Sequence, residues 1–389
     1  MARTVILLGI VSLLTDVSSE MVSAVLPLYL TAKLGLGLLA YGLIDGLYQG
    51  LSSVVRIAGG YAGDRYQAKW VATVGYGVSA LSRLAMLPVT GAAGVIGVVT
   101  ADRLGKGLRT APRDALIVEV SDPKELGRAF GIHRTLDTIG AAIGPVVAFA
   151  LLLGVPNGYS SVWVVSFAVA AIGFAVLVLF VPNNRTTVAG TRLTARALLG
   201  EIAAARLRRP LLAAAVLGVL TIGDGFLYLS LQYRDDFAAK WFPLLYVGTN
   251  VAYLALALPI GRLADRIGRA KVLVLGHLAL LGVYLLASLP AGGLTMTLAC
   301  LLFLGIFYAA TDGVLPALIS RLVPAQARGT GIAAAQTVVA LTRFVSSMAF
   351  GTLWLAIGSR NALLVAAVLL GATVPIAGWL LAPSDRAVA

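Results

Sequence analysis

Asp16 and Glu20 stand four residues apart inside an apolar run, so a helix would carry both carboxyls on one face. A second concentration of charge lies in the stretch DRLGKGLRTAPRD, which holds Asp102, Arg103, Lys106, Arg109, Arg113 and Asp114. Within it Arg103, Lys106 and Arg113 recur at roughly helical spacing and form a cationic stripe. Asp137 follows further on, with His133 and Arg134 one turn before it. Asp45, Asp224, Asp312 and Arg343 punctuate other apolar stretches singly. A carboxyl near arginines can alternate between protonated and ion-paired states. Asp16, Glu20 and Asp137 are therefore the candidates for binding and releasing a proton, with His133 as a relay near neutral pH. Arg103, Lys106 and Arg109 are surplus bases suited to an anionic or zwitterionic compound. Asp45, Asp224, Asp312, Arg343 and Tyr228 are the further candidates for contacting it.

These charges stand out because the rest of the chain is apolar. Of 389 residues, 59% are hydrophobic and only 12% charged, with a mean hydropathy of +0.93. Apolar runs of about 20 residues recur from end to end, the length of a helical bilayer span. They lack the alternation of a membrane β-barrel. About twelve spans are predicted, at 5–31, 38–62, 70–89, 93–118, 127–153, 160–181, 211–233, 243–264, 270–289, 293–320, 329–356 and 360–382. The first reads as an uncleaved span, since no small-residue cleavage site follows MARTVILLGIVSLLTD. An ionisable group at the bilayer centre carries a penalty of about 2.5–3.5 kcal/mol on insertion scales. The stripe in span four must therefore face acids on neighbouring helices or water, and Asp16, Glu20 and Asp137 are its natural partners.

The net charge of +13 sits in short loops on one side, such as Arg65 and Lys69, Lys124 and Arg128, and Arg266, Arg269 and Lys271. By the positive-inside rule this places both termini in the cytoplasm, and the compact loops suit a bacterial inner membrane. A basic aromatic-rich surface for nucleic acid is absent. One cysteine and two histidines supply neither a disulfide nor a metal site, and no cofactor is implied. The chain has no nucleotide-binding loop and no HExxH or GxSxG arrangement, so neither an ATP-driven pump nor an intramembrane enzyme is expected.

The chain also repeats. Gly60, Asp64 and Arg65 at the end of span two recur as Gly261, Asp265 and Arg266 at the end of span eight, about 200 residues later. This divides the chain into residues 1–182, a basic linker at 183–209 that suits an amphipathic helix on the inner leaflet, and residues 210–389.

The stretches GGYAGDRYQAK and GRLADRIGRAK resemble the paired loop signature of the major facilitator superfamily. In span five Gly131, Gly140, Gly144 and Pro145 are similar to the motif of its proton-coupled exporters, although Ala148 and Phe149 replace the closing glycines. The resemblance implies an all-α polytopic membrane protein of twelve transmembrane helices in two pseudo-symmetric six-helix bundles. It implies a secondary transporter moving a small organic molecule by alternating access, with proton-coupled efflux as the leading mode; the surplus bases of span four suit an anionic cargo, aromatic residues such as Tyr228 an amphipathic one, and a duplicated bundle needs no partner chain, so a monomer is expected. A proton symporter or uniporter for a nutrient, an exporter of a metal chelate, and a non-transporting receptor are the alternatives. Asp64, Asp265, Arg65, Arg266, Arg113 and Asp114 would gate the cytoplasmic side, with Arg113 nearest Asp64 by depth. Gly60, Gly261, Gly140, Gly144 and Pro145 would shape the helices that move.

Overall fold

The structure is a computed structural model that describes residues 3–122, 125–183, 195–324 and 328–386. In a bilayer every backbone N–H and C=O must find a partner within the protein, which leaves helices as the natural answer for these apolar runs. The described residues are nearly all helical and contain no strand. In chain order the helices are α1 (Arg3–Leu28), α2 (Leu38–Arg65), α3 (Ala68–Ala85), α4 (Ala92–Val120), α5 (Leu126–Gly154), α6 (Tyr159–Phe180), α7 (Ala195–Ala203), α8 (Ala205–Val219), α9 (Asp224–Asp235), α10 (Pro243–Ile267), α11 (Arg269–Ser288), α12 (Leu294–Thr311), α13 (Val314–Leu322) and α14 (Arg328–Arg386).

Eight helical segments among the described residues are long and apolar enough to cross a membrane. One of these is α14, whose 59 residues are divided into two spans by Gly358 at φ +81°. α2, α3 and α4 complete the twelve; they are more polar because they carry Asp45, Arg56, Arg83 and the α4 stripe. Spans seven and ten are each interrupted. Residues 220–223 separate α8 from α9, and a short turn at 312–313 separates α12 from α13.

The described chain forms two compact units. One contains residues 1–36, 51–194 and 238–244. In it α1 packs on α5 and α6, and α3 packs on α4 and α6. Glycines bring α1 and α5 into backbone contact. A Cβ at Gly140 would lie 2.3 Å from the Leu13 carbonyl oxygen, and one at Gly144 would lie 2.8 Å from that of Val17. Their spacing of four residues makes a smooth face on α5 that receives the face of α1 bearing Asp16 and Glu20. Val5, Leu8, Val11, Ala72, Tyr76 and Leu177 close the apolar core at one end of this unit.

The other unit contains residues 37–50, 195–237 and 245–389. Here α14 packs on α8 and α11, and α11 packs on α12. The first half of α2 belongs to this unit. Its Gly42, Gly46 and Gly50 lie one turn apart against Ser347, Phe344 and Ala340 of α14. Of the linker region, α7 packs against α14, and Arg206 holds Glu201 at 2.6 Å. Lys124, and residues 184–194 of the expected basic linker, lie outside the described residues.

Candidate functional sites

In the first unit the charges of α1, α4 and α5 form a connected network. Ser12, Asp16 and Glu20 lie at successive turns of α1. The Ser12 hydroxyl donates to Asp137 Oδ1 of α5 at 2.6 Å. Asp16 is a near neighbour of the same Asp137, and the two carboxyls interact electrostatically. Neighbouring carboxyls can share a hydrogen bond only when one carries a proton, because an ionised carboxylate has no hydrogen to donate. Arg113 of α4 donates to Ser12 at 3.3 Å and lies 3.9 Å from Asp137, while Arg134 reaches Asp137 at 3.2 Å. Arg113 also pairs with Asp114 at 2.9 Å, and Asp114 is held in turn by Arg56 of α2 at 3.1 Å. Four helices are thus tied together by one chain of polar contacts.

Lys106 and Glu20 stand differently. Lys106 lies within electrostatic reach of Asp16 and Glu20, yet neither Lys106 nor Glu20 has an ion-pair partner within 4.0 Å among the described residues. Arg109 is buried, with 4% of its surface exposed, and its guanidinium lies 4.5 Å from the centre of the Tyr76 ring. Its Nη1 has no hydrogen-bond partner among the described residues. A buried donor left without a partner loses the solvation it had in water, so such an atom marks a place for water or a bound molecule. Both ring nitrogens of His133, a residue 3% exposed, are likewise without a hydrogen-bond partner among the described residues.

Arg103 has a different setting from the one its spacing suggests. Its Nε donates to Asp102 Oδ2 at 2.8 Å. Asp102 also takes Arg83 of α3 at 2.9 Å, and Arg83 donates to Ser19 of α1 at 3.1 Å. Asp102, Arg103 and Arg83 are 3%, 2% and 4% exposed. This is a dry clamp joining α1, α3 and α4, and it occupies the guanidinium that the cargo was expected to meet. Arg83, in the last turn of α3, was not among the sequence candidates. The signal was its place inside the predicted apolar span 70–89, where an ionisable residue needs a partner.

The second unit holds a smaller polar cluster. The interruption at 220–223 leaves backbone groups without helical partners, and side chains take them. Tyr284 accepts from the Ile222 N–H at 2.8 Å and donates to the Leu220 carbonyl at 2.7 Å; Ser346 donates to the Thr221 carbonyl at 2.9 Å. Gly223 admits Asp45 to the gap, since a Cβ there would lie 2.4 Å from Asp45 Oδ2. Ser347 donates to the same carboxylate at 2.5 Å. Asp224 opens α9 and accepts from Tyr308 at 2.6 Å. Arg343 lies within electrostatic reach of Asp45, Asp224 and Asp312, and its Nε is without a hydrogen-bond partner among the described residues. Tyr228 donates to Thr249 at 2.7 Å and stacks edge-on against Tyr246. Asp45, Asp224, Asp312, Arg343 and Tyr228 are thus neighbours in one unit.

The loop-signature residues are more scattered. Asp265 takes Arg269 at 2.7 Å, and Arg266 is exposed beside it. Arg65 is exposed too, with its guanidinium 6.0 Å from the Tyr66 ring centre. Gly60 lies 3.6 Å, as a notional Cβ, from Ala111 of α4, whereas Gly261 has nothing within 4 Å. The Asp64 side chain lies outside the described residues. Arg113, proposed as its partner by depth, is engaged by Asp114 and Ser12. Pro145 is buried within α5 next to Gly144. Among the described residues no group of histidine, cysteine, aspartate and glutamate side chains could hold a metal ion.

Comparison with known proteins gives the arrangement a context. A sequence profile described as Major Facilitator Superfamily matches residues 8–249 and 238–388. An uncharacterised MFS-type transporter of Methanocaldococcus jannaschii is 32% identical over 364 residues, covering 91% of this chain and 89% of the relative. The crystal structure of the nucleoside transporter NupG superposes with a TM-score of 0.81 at 16% identity, covering 98% of this chain and 99% of that one. A POT family transporter in complex with a thioalcohol-conjugated peptide superposes with a TM-score of 0.82 at 13% identity, covering 98% and 96%. At these identities the solved structures speak to the fold.

Proposed function

The chain belongs to the Major Facilitator Superfamily and is a membrane transporter of that kind, and from that premise we propose that it moves a small anionic or amphipathic organic molecule outward by alternating access, in exchange for protons. The observation that carries this reading is the neighbouring carboxyl pair of Asp16 and Asp137, surrounded by bases on α4 and α5. Such a pair has two arrangements. In one it holds a proton and bonds to itself; in the other it is ionised and binds neighbouring bases.

Lys106 and Arg109 connect this switch to the cargo. Lys106 lies near both Asp16 and Glu20, and Arg109 has a donor to spare. A cargo whose anionic group meets Lys106 or Arg109 while its donors bond the ionised Asp16 or Glu20 is held in the ionised arrangement. Protonation of the acids removes those acceptors and releases the cargo, so that cargo and proton occupy the site in turn. Arg103, held by Asp102, acts in this reading as a structural clamp, and His133 relays protons toward Asp137. Asp224, Asp312, Arg343 and Tyr228 contact cargo from residues 210–389 and Asp45 contacts it from α2, with residues 183–209 as the linker. The protein works as a monomer in the bacterial inner membrane, with both termini in the cytoplasm.

The test uses purified protein in liposomes containing a pH-sensitive dye. Organic anions, amphipathic cations and neutral nucleoside-like compounds are added singly. At least one anionic or amphipathic compound should move protons in protein-containing vesicles and not in empty ones. Lys106→Gln should weaken the response to anions more than to cations. Cargo flux with no accompanying proton movement would refute the coupling.

A further inference from the structure

The second unit carries a groove of about 900 Å³ at the α10–α11 turn, lined by none of that unit's polar-cluster residues. Its polar end is lined by Arg266, Arg269, Lys271 and Arg321, against a single carboxylate, Asp265. Asp265 is already engaged by Arg269, which also donates to the Ala317 carbonyl of α13 at 3.1 Å and so fixes the groove wall. Arg266, Lys271 and Arg321 are exposed and have no hydrogen-bond or ion-pair partner among the described residues. The N-terminal end of α11 points into the same region, adding the positive end of its dipole.

The other end of the groove is apolar. Val274 and Leu275 continue up α11, and Leu318, Gly378 and Ala382 face them. Gly378 keeps this part open: a Cβ there would lie 4.0 Å from Val274 and meet nothing nearer. Leu275 is 47% exposed and Ile376 54%, so the apolar end runs out onto the lipid-facing surface. Trp379 is 69% exposed, with the Arg209 guanidinium 5.8 Å from its ring centre. An exposed tryptophan beside an arginine marks headgroup depth.

We infer that this groove binds one anionic phospholipid, with its phosphodiester among Lys271, Arg321 and Arg266 and an acyl chain along Val274, Leu275 and Gly378. Cations without partners at one end and lipid-facing apolar surface at the other match such a molecule at both ends. A zwitterionic phospholipid would bring a second cation among cations already uncompensated. A free phosphate would leave the apolar end without a function. The site is independent of the transported cargo and of proton coupling.

Native mass spectrometry of delipidated protein, given equal mole fractions of dioleoyl phosphatidylglycerol and dioleoyl phosphatidylcholine, tests this. The wild-type protein should retain one phosphatidylglycerol in preference to phosphatidylcholine. Lys271→Gln with Arg321→Gln should weaken that retention about thirty-fold, since each basic residue near a membrane surface accounts for about a fivefold change. Gly378→Phe should reduce retention of the lipid without changing any charge, and it carries the test alone if the double variant does not fold. Equal retention of both lipids by the wild type would overturn the inference, as would undiminished phosphatidylglycerol retention in the variants. Displacement of the lipid by inorganic phosphate at the same concentration would also overturn it, by making this a site for a free anion.

Discussion

Asp102 lies between two arginines in a place where water does not reach, and its replacement is the sharpest test of the energetics. At 2.9 Å, with an effective permittivity of 20, the Arg83–Asp102 pair has a Coulomb energy of roughly 6 kcal/mol before desolvation. The side chains are 5% and 4% exposed, so solvent screens the pair little. Most of the Coulomb term offsets the transfer of the charges out of water, and intact buried pairs are close to neutral overall. Removing one partner is another matter, because the charge left behind keeps its desolvation penalty without its compensation. Asp102→Asn leaves Arg83 and Arg103 facing each other across a neutral amide. The expected loss is about 3–5 kcal/mol. Thermal unfolding in detergent, followed by size-exclusion recovery, should place Asp102→Asn well below wild type. Arg83→Met should be milder, because Arg103 still holds Asp102. The double variant Arg83→Met with Asp102→Asn should be more stable than the sum of the two single losses predicts, by about 0.5–3 kcal/mol of coupling. Additive single effects, or a silent Asp102→Asn, would refute the claim that these residues act as one clamp.

Other positions give further outcomes. Gly140→Val drives a side chain into the Leu13 carbonyl at the α1–α5 contact, so it should lower stability by about 1–3 kcal/mol and reduce transport, while Gly131→Ala, with nothing within 4 Å, should be tolerated in the same thermal assay. Lys69 is buried and donates to the Val178 and Val181 carbonyls at 2.9 and 2.7 Å. Lys69→Met should therefore cost about 1.5–3 kcal/mol in detergent unfolding, through the loss of a charged cap at the end of α6. Tyr308→Phe removes the donor to Asp224 and should alter cargo affinity in the liposome assay with a stability change of only about 1 kcal/mol.

The span limits were legible because a bilayer demands a fixed length of apolar helix, and that demand is written directly in composition. α5 runs from Leu126 to Gly154 against a predicted 127–153, and α6 from Tyr159 to Phe180 against 160–181. The interruption at 220–223 was less visible, although Thr221-Ile-Gly-Asp-Gly225 sets two glycines around an acid in mid-span. An apolar window averages over such a break, and only the partners Tyr284, Ser346 and Asp45 make it stable; they come from positions distant in the chain. Depth and charge were enough to nominate Asp16, Asp137 and Arg113. They could not say that Ser12 would bridge the last two, because a serine in an apolar helix carries no signal of its own. The same limit applies to Lys69, which reads as a loop charge and is buried. Which base an acid takes depends on how the helices rotate against one another, and that follows from small residues such as Gly75 and Gly105, whose α3–α4 contact lies beside the clamp. Lys106 and Arg103 are three residues apart on one helix, yet one is left without an ion pair and the other is bound by Asp102.

Proton movement coupled to cargo in liposomes, compared between wild type and Asp16→Asn, tests the central claim most directly. The asparagine keeps the volume of the side chain and can still donate to Asp137, but it cannot ionise. The variant should bind cargo yet lose uphill transport driven by a pH gradient, while cargo exchange without a gradient continues. Undiminished gradient-driven transport in Asp16→Asn, and again in Asp16→Asn combined with Glu20→Gln, would contradict the account.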